Sequence, residues 1–224
     1  MKKFCASLLG LLLLSSASAA TYNYRQLSLG LIGTQATAPV VAPVLPSVNW
    51  NTLTGTAMTV DADGLSLTTA TNTIGAALAT AAGKTSGKWY WEVKVVSGKV
   101  KDILIGMMTT AGTQLTGIRP ADETGSLGSY CMPGSCNGSY PYATYRVGDV
   151  IGLAYDVAGK NLAVYKNNVK QIDIDVSGAP VGTVFYPVVR VQYYNTAGGA
   201  RYAANFGSKP FSYTPPTGFL KLEP

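Results

Sequence analysis

The side chain most suited to proton transfer near neutral pH is missing from this chain of 224 residues, which contains no histidine. Histidine completes the Ser-His-Asp and Cys-His nucleophile arrangements and most common zinc sites, because its unperturbed pKa lies closest to neutrality. Composition therefore excludes these classes of site. Catalysis would have to depend on carboxylates.

The carboxylates do not form a catalytic pair in the sequence. Asp61 and Asp63 stand in Asp-Ala-Asp-Gly, which is typical of a turn. Asp173 and Asp175 share one face of a predicted strand, where exposure to solvent accounts for them. Glycosidases need a general acid and a nucleophile about 5 Å apart, whereas the best strand for such a pair carries only Glu92. We therefore predict no catalytic residues and no enzymatic activity.

Two of the three cysteines, Cys131 and Cys136, stand close together in Cys-Met-Pro-Gly-Ser-Cys. The third, Cys5, belongs to an N-terminal segment that we expect to be removed. An even number of cysteines in an oxidising compartment predicts one local disulfide. Two thiolates without histidine do not complete a four-ligand zinc site, and no EF-hand spacing is present for calcium. We predict no metal and no cofactor.

Two tyrosine-rich segments offer a binding chemistry instead. Residues 115–145 and 193–199 combine tyrosine with Gly, Ser and Asn, a composition typical of recognition loops, because tyrosine gives a large contact area with few rotors to freeze. The alternative is that these rings pack the segment onto a sheet, and we favour packing for Tyr145. The predicted binding residues are Arg119, Tyr130, Tyr140, Tyr142, Tyr193 and Tyr194.

The first residues have the organisation of a secretory signal peptide. Lys2 and Lys3 form a basic region, Phe4–Leu14 an apolar region, and Ala17–Ala19 a small-residue cleavage site. We expect residues 1–20 to be cleaved on export to the periplasm, cell surface or medium. No later apolar run reaches the roughly 20 residues that a transmembrane helix needs. The net charge is +6, but the basic residues are scattered, so nucleic acid is not a predicted partner.

Residues 21–48 are expected to form an extended arm and linker. Leu27, Leu29 and Leu31 recur at the period of a strand, and prolines stiffen the segment that follows. Two interpretations are open. The arm is either a frayed tail or extra edge strand of its own domain, or it adds a strand to a neighbouring subunit or partner.

Residues 49–224 are predicted to form one all-β domain. Short β-type runs alternate with turn residues, and no segment combines helix caps with a 3.6-residue period. In the run Lys88–Val95, odd-numbered residues should face the core and even-numbered residues the other, polar face. Asn167–Asn168 predicts a tight hairpin, because asparagine tolerates positive φ. Ala76–Ala82 is too short for a stable helix and is assigned to strand or loop.

Several of these segments, taken in order, resemble the SPRY domain family: Gly87–Val93, Ile105–Met107, Gly148–Asp156, Leu162–Asn168 and Phe185–Pro187. The segments Asn205–Tyr213 and Pro215–Phe219 resemble the ending frequent in bacterial and phage versions. The resemblance runs from about Trp50 to Leu222, although the insertion between Met108 and Tyr145 matches little. It implies a bent, two-sheet, concanavalin A-like antiparallel β-sandwich (jelly roll) that binds proteins or peptides through loops at one end of the sheets. It also implies a structural role for Glu92.

Three functions are compatible with these features. The preferred one is an exported, non-catalytic module that recognises a protein or peptide. A carbohydrate-binding or adhesive module would use the same tyrosine surfaces, so a glycan partner stays open. A structural subunit of a surface assembly would use the arm of residues 21–48 as an added strand. None of the three requires a cofactor.

Overall fold

The fold is nearly all β, with 49% of the described residues in strands and 2% in helix. It is seen in a computed structural model that describes residues 46–52, 58–70, 74–123, 125–136, 144–191 and 199–223. The predicted signal peptide and most of the predicted arm lie outside these ranges. No helix within the ranges is long and apolar enough to cross a membrane. The all-β architecture predicted from the strand-like runs is confirmed.

Fifteen strands are described, together with one turn of 3-10 helix at Thr80–Ala82. The strands are β1 (Asn51–Thr52), β2 (Met58–Val60), β3 (Ser66–Thr69), β4 (Gly75–Leu78), β5 (Lys88–Ser97), β6 (Ile103–Met108), β7 (Leu115–Pro120), β8 (Gly128–Met132), β9 (Ser135–Cys136), β10 (Val150–Asp156), β11 (Asn161–Lys166), β12 (Val169–Asp175), β13 (Tyr186–Val191), β14 (Arg201–Asn205) and β15 (Leu220–Lys221).

The strands form two sheets that make a sandwich. Sheet A has the order β1-β4-β13-β6-β7-β8-β9, and sheet B has the order β12-β11-β10-β5-β14-β3-β2. The short β15 pairs with the beginning of β5 in the parallel sense. Along both sheet orders, neighbouring strands pair antiparallel. The antiparallel sandwich predicted from the sequence is therefore confirmed.

The inner faces of the two sheets meet in one apolar core. Strand β5 contributes Trp91, Val93 and Val95, and sheet A contributes Ile105 and Val189, all at most 2% exposed. Successive strand residues point to opposite faces, so an apolar residue at every second position lines one face. The prediction that the odd-numbered residues of this run face the core is confirmed.

The other face of β5 differs from the sequence prediction. Tyr90 and Glu92 were expected on a polar outer face, yet each is only 2% exposed. The ring of Phe211 packs edge-on against Tyr90 with the ring centroids 5.0 Å apart. The backbone N–H groups of Ser212 and Tyr213 donate to the Glu92 carboxylate at 2.8 and 2.9 Å. The C-terminal segment therefore covers this face of the strand.

Strands β10, β11 and β12 form a meander whose turns agree with the sequence. Asn167 and Asn168 join β11 to β12 with φ values of 50° and 67°. The Asn167 side-chain amide donates to Asp149 at 2.7 Å, and its oxygen accepts from the Val150 N–H at 2.9 Å. The predicted Asn-Asn hairpin is confirmed, because both residues adopt the left-handed conformation that such turns require.

The first and last described segments are joined by one carboxylate. Glu223 accepts hydrogen bonds from the Ser47 N–H and hydroxyl and from the Val48 N–H, each at 2.8 Å. Trp50 follows directly, is buried, and donates its indole N–H to the Leu65 carbonyl at 2.8 Å. Residues 47–50 are thereby fixed against the sandwich.

Candidate binding surface

One end of the sandwich collects several connecting segments. The links from β5 to β6, β7 to β8 and β11 to β12, together with residues 144–149, lie at the end where β6 begins. Ile103 is the first residue of β6 and pairs with Val191, the last residue of β13. The Tyr145 hydroxyl donates to the Ile103 carbonyl. We call this region the Ile103 end.

Exposed apolar side chains are concentrated at the Ile103 end. Within the described ranges, seven large apolar residues are exposed, and two of them, Val181 and Leu220, lie elsewhere. Exposed apolar side chains at one end of a folded protein are candidate contact sites for other molecules. The remaining five are Ile74 (44% exposed), Val96 (38%), Leu127 (48%), Val147 (48%) and Val169 (63%).

The loop that presents Leu127 is held by its own side chains. The Asp122 carboxylate accepts from the Ser126 and Leu127 N–H groups at 2.9 and 3.1 Å. The Thr144 hydroxyl lies 3.0 Å from the Gly125 carbonyl oxygen and 3.2 Å from that of Leu127. Local side-chain to backbone bonds of this type fix the shape of a turn. The backbone at Leu127 is therefore fixed, while its side chain is exposed.

Arg119, one of the predicted binding residues, lies at the Ile103 end and has protein partners. Its guanidinium NH1 is 3.0 Å from the Asp102 carboxylate, and its Nε donates to the Ser129 hydroxyl at 2.9 Å. The side chain is 14% exposed. These contacts join β7 to β8 and to the turn before β6. The part that Arg119 takes in binding stays a prediction.

The predicted tyrosines divide into one described residue and four that lie outside the described ranges. Tyr130, on β8, is partly buried and packs against the inter-sheet core. Nothing is described of the others, but residues that border both tyrosine-rich segments, Tyr145 and Val191, contact Ile103. The four undescribed residues are Tyr140, Tyr142, Tyr193 and Tyr194.

Tyr145 is a packing residue, as the sequence analysis favoured. It is fully buried, and its ring meets that of Tyr202 in a T-shaped contact with centroids 6.4 Å apart. Burial raises the pKa of the Tyr145 hydroxyl well above its ordinary value, and the neighbouring Tyr202 adds to this. The hydroxyl consequently stays protonated and serves as a donor to Ile103.

All eleven acidic side chains of the chain lie within the described ranges. Five of them form ion pairs with lysine or arginine. The others accept hydrogen bonds, as Asp63 does from the Leu65 and Ser66 N–H groups in the predicted turn. Within the same ranges no three His, Cys, Asp or Glu side chains are grouped closely enough to hold a metal ion. The described carboxylates serve to fix turns and strands.

The predicted disulfide between Cys131 and Cys136 is confirmed. The two residues are directly opposite each other in the β8–β9 pair, with Cα atoms 4.0 Å apart. Cys131 is fully buried on the outer face of sheet A. The bridge therefore closes the β8–β9 hairpin at the edge of this sheet.

A variant without this bridge, Cys131→Ala/Cys136→Ser, is expected to lose about 2 kcal/mol of unfolding free energy, because the bridge closes a loop of only about six residues. Urea denaturation of the purified protein measures this loss. Wild-type protein treated with a reductant should show the same midpoint as the variant. A variant as stable as the oxidised wild type would contradict the expectation.

A second concave region lies at the opposite end of the sandwich. It is a cleft of about 150 Å³ between the β10–β11 turn and the segment before β13. Tyr155, Val157 and Phe185 line it, and Val181 stands at its rim with 98% of its surface exposed. Among the described residues that line this cleft, Val181 is the one large apolar side chain that is exposed. We therefore use Val181 below as a comparison position.

Comparison with known proteins places the chain among β-sandwich modules. The family model described as SPRY domain matches residues 88–208. The SPRY domain of human HERC1 superposes with a TM-score of 0.50 at 18% identity, covering 69% of this chain and 95% of that domain. At this identity the likeness concerns the fold alone.

Two further structures superpose less closely. They are a carbohydrate-binding module, CBM66 from Bacillus subtilis (TM-score 0.48, 14% identity, 73% of this chain and 96% of that one), and a sialidase (0.48, 15%, 74% and 19%). No curated protein matches the sequence.

Proposed function

Because the chain belongs to the SPRY domain family, whose model matches residues 88–208, we propose that it is an exported, non-catalytic module that binds a protein or peptide. Family membership supports the general role of a binding module. The proposal adds the class of partner, the compartment and the surface. It divides the chain into a signal peptide (1–20), an arm (21–48) and the sandwich (49–224).

The concentration of exposed apolar side chains at the Ile103 end carries this proposal. Leu127 and Val147 are each 48% exposed there, and Leu127 stands on a loop fixed by Asp122. Protein partners bind most strongly where a few apolar or aromatic side chains are desolvated together. An ordered loop also loses little conformational entropy on binding. The Ile103 end therefore suits a protein or peptide partner.

The tyrosine-rich segments extend this surface in the proposal. The chain leaves the first segment at Tyr145 and approaches the second at Val191, and both of these residues contact Ile103. Tyrosine rings with neighbouring Ser, Gly and Asn make adaptable contacts. We propose that they act with the exposed apolar residues. The proposed contributors are Arg119, Tyr130, Tyr140, Tyr142, Tyr193 and Tyr194.

Export is proposed from the N-terminal sequence. Lys2, Lys3 and the apolar run Phe4–Leu14 have the order of a signal peptide. The disulfide between Cys131 and Cys136 is compatible with an oxidising compartment. Together they support a periplasmic, cell-surface or extracellular location.

A Leu127→Ser/Val147→Ser variant is expected to lose its partner. Truncating central apolar contacts of an interface costs about 2 kcal/mol or more, which weakens binding roughly thirtyfold. Both side chains are about half exposed, so the fold should survive. Crosslinking and pull-down from envelope extract, followed by affinity measurement on the captured protein, test this.

The matched control is Val181→Ser, which removes a still more exposed valine at the opposite end. It should bind the partner as the wild type does. Equal loss in both variants, or binding to a glycan array without any captured protein, would contradict the proposal. A Tyr140→Ala/Tyr142→Ala variant tests the tyrosine segment separately.

A further inference from the structure

Arg190 lies in the middle of sheet A, on the face turned away from the core. It belongs to β13 and pairs with Ala76 on β4 and Leu104 on β6. Directly paired residues of neighbouring strands point to the same side of a sheet. Ala76 and Leu104 belong to a buried apolar cluster on this outer face, together with Met108 and Val188. A partly buried cation therefore stands among apolar side chains.

Among the residues that the structure describes, the guanidinium of Arg190 has no carboxylate partner. Within the described ranges, which include all eleven acidic residues, each Asp or Glu is engaged elsewhere and no ion pair involves Arg190. The polar contact found for Arg190 is a hydrogen bond from NH1 to the Met108 sulfur at 3.3 Å. A thioether is a weak acceptor, whereas a guanidinium offers five N–H donors. Most donors of Arg190 are thus available to a ligand.

Two adjoining clefts meet at Arg190. The first, of about 260 Å³, is lined by Ile74, Ala76 and Met108. The second, of about 250 Å³, is lined by Leu115 and Met132. Gly112 and Arg190 belong to both. We call the two clefts together the Arg190 groove.

We propose that the Arg190 groove binds a peptide carboxylate that is flanked by apolar side chains. The guanidinium would receive the carboxylate through two parallel N–H···O bonds, the arrangement in which arginine recognises carboxylates most strongly. Ile74, Met108 and Met132 would receive the flanking apolar groups, and methionine adapts readily to different shapes. Positive charge in an apolar setting selects this ligand over a neutral one.

A peptide fits the groove better than a sugar acid. Besides Arg190, the polar side chains among its lining residues are Thr110, Thr113 and Ser135, and the rest are Ile, Ala, Leu, Met and Gly together with the disulfide-bonded Cys136. Sugar hydroxyls would need more hydrogen-bond partners than these to replace water. Arg190 itself lies on β13, which is paired with β4 on one side and β6 on the other. Recognition at Arg190 therefore occurs through its side chain and not by strand addition.

The peptide part of this inference rests on the proposed function, whereas the carboxylate part rests on Arg190. The Ile103 end and the groove share Ile74. They differ in chemistry, since Leu127 and Val147 offer apolar contacts without charge. Separate variants therefore report on each surface.

The test uses ¹⁵N-labelled protein and the Nε–H resonance of Arg190. The probes are N-acetyl-Leu-Glu-Leu-amide, its neutral Gln counterpart, N-acetyl-Leu-Gln-Leu with a free terminal carboxylate, and N-acetylneuraminic acid. We expect a saturable shift with one or both peptide carboxylates, and binding about tenfold or more weaker for the neutral peptide, because each 1.4 kcal/mol changes affinity tenfold. The two carboxylate peptides distinguish a side-chain from a terminal carboxylate.

Arg190→Gln should abolish the difference between charged and neutral peptides, and Arg190→Lys should restore part of it. Arg201→Gln, an arginine on sheet B that pairs with Asp61, should leave binding unchanged. Backbone ¹⁵N spectra verify the fold of each variant. Equal binding of charged and neutral peptides, unchanged binding in Arg190→Gln, or binding of the sugar acid alone would overturn the inference. Leu127→Ser/Val147→Ser should not alter the probe affinity, so failure of the proposed function is recognised separately.

Discussion

Replacing Glu92 by alanine is expected to lower the free energy of unfolding by roughly 4 kcal/mol, because three hydrogen bonds to a buried carboxylate are lost and a bond to a charged group contributes about 1.5–3 kcal/mol. The Glu92 carboxylate is 2% exposed. It accepts from the Ser212 and Tyr213 N–H groups at 2.8 and 2.9 Å and from the Tyr90 hydroxyl at 3.2 Å. Urea denaturation of the purified protein measures the loss.

Glu92→Gln tests the same network with little change of shape. The amide keeps one acceptor oxygen, but its N–H₂ group is a donor and would face the N–H groups of Ser212 and Tyr213. We therefore expect roughly half of the loss in unfolding free energy that the alanine variant shows. Amide hydrogen exchange at Ser212 and Tyr213 should become faster, since their bonds to Glu92 join the C-terminal segment to β5.

The matched control is Glu123→Gln, which changes an exposed glutamate paired with Lys99 at 2.7 Å. Exposed ion pairs contribute about 0–1 kcal/mol, so this variant should stay close to the wild type. Equal stability of the Glu92 and Glu123 variants would refute the structural role of Glu92. Turnover of a sugar polymer that disappears in Glu92→Gln would instead indicate catalysis.

Gly106→Ala is expected to cost roughly 3 kcal/mol or more, because an added methyl group meets backbone that has no room to move. Gly106 on β6 pairs directly with Gly117 on β7. A Cβ at Gly106 would lie 2.0 Å from the Thr116 carbonyl oxygen and 2.6 Å from the Gly117 Cα. The two strands can therefore approach only if this position carries no side chain.

Thermal and urea unfolding of Gly106→Ala measure the effect, with Gly178→Ala as the control. A Cβ at Gly178 would meet nothing nearer than the Pro133 carbonyl oxygen at 4.0 Å. That variant should change stability by no more than about 0.5 kcal/mol, as surface substitutions usually do. If both glycine variants were equally stable, the close approach of β6 and β7 would not hold in solution.

The features that could be predicted from the sequence are those that depend on residues close together in the chain. Trp91, Val93 and Val95 alternate with other residues, and the period of two identified their core face. The turn at Asn167 and Asn168 could be predicted from these two residues alone, because asparagine tolerates the positive φ that such a turn requires. The Cys131–Cys136 bridge followed from a separation of five residues.

What sequence reasoning missed depends on contacts between distant residues. Tyr90 and Glu92 were placed on a polar face because alternation describes one strand, whereas the segment that covers them lies about 120 residues later. Arg190 gave no signal, since a single basic residue in a strand usually indicates an exposed face. Its apolar surroundings come from β4, β6 and β7.

The residue types of the candidate surface could be predicted from the sequence, whereas the location of these residues in the fold could not. The tyrosine-rich segments were identified from their residue types, and the sequence could not show that Tyr145 and Val191 meet at Ile103. Leu127 and Val147 were not singled out, because an isolated apolar residue between polar ones carries no distinctive pattern. Their shared location depends on the strand order of both sheets.

The C-terminal segment makes completion of the sandwich depend on contacts between residues far apart in the sequence. Ser212 bonds to Glu92 across 120 positions, and Glu223 bonds to Ser47 across 176. Without the C-terminal segment, the Glu92 carboxylate on β5 lacks its two backbone N–H donors. Distant contacts of this kind also slow folding, because long loops must close first. Docking of the C-terminal segment onto β5 is therefore expected to be a late step in folding.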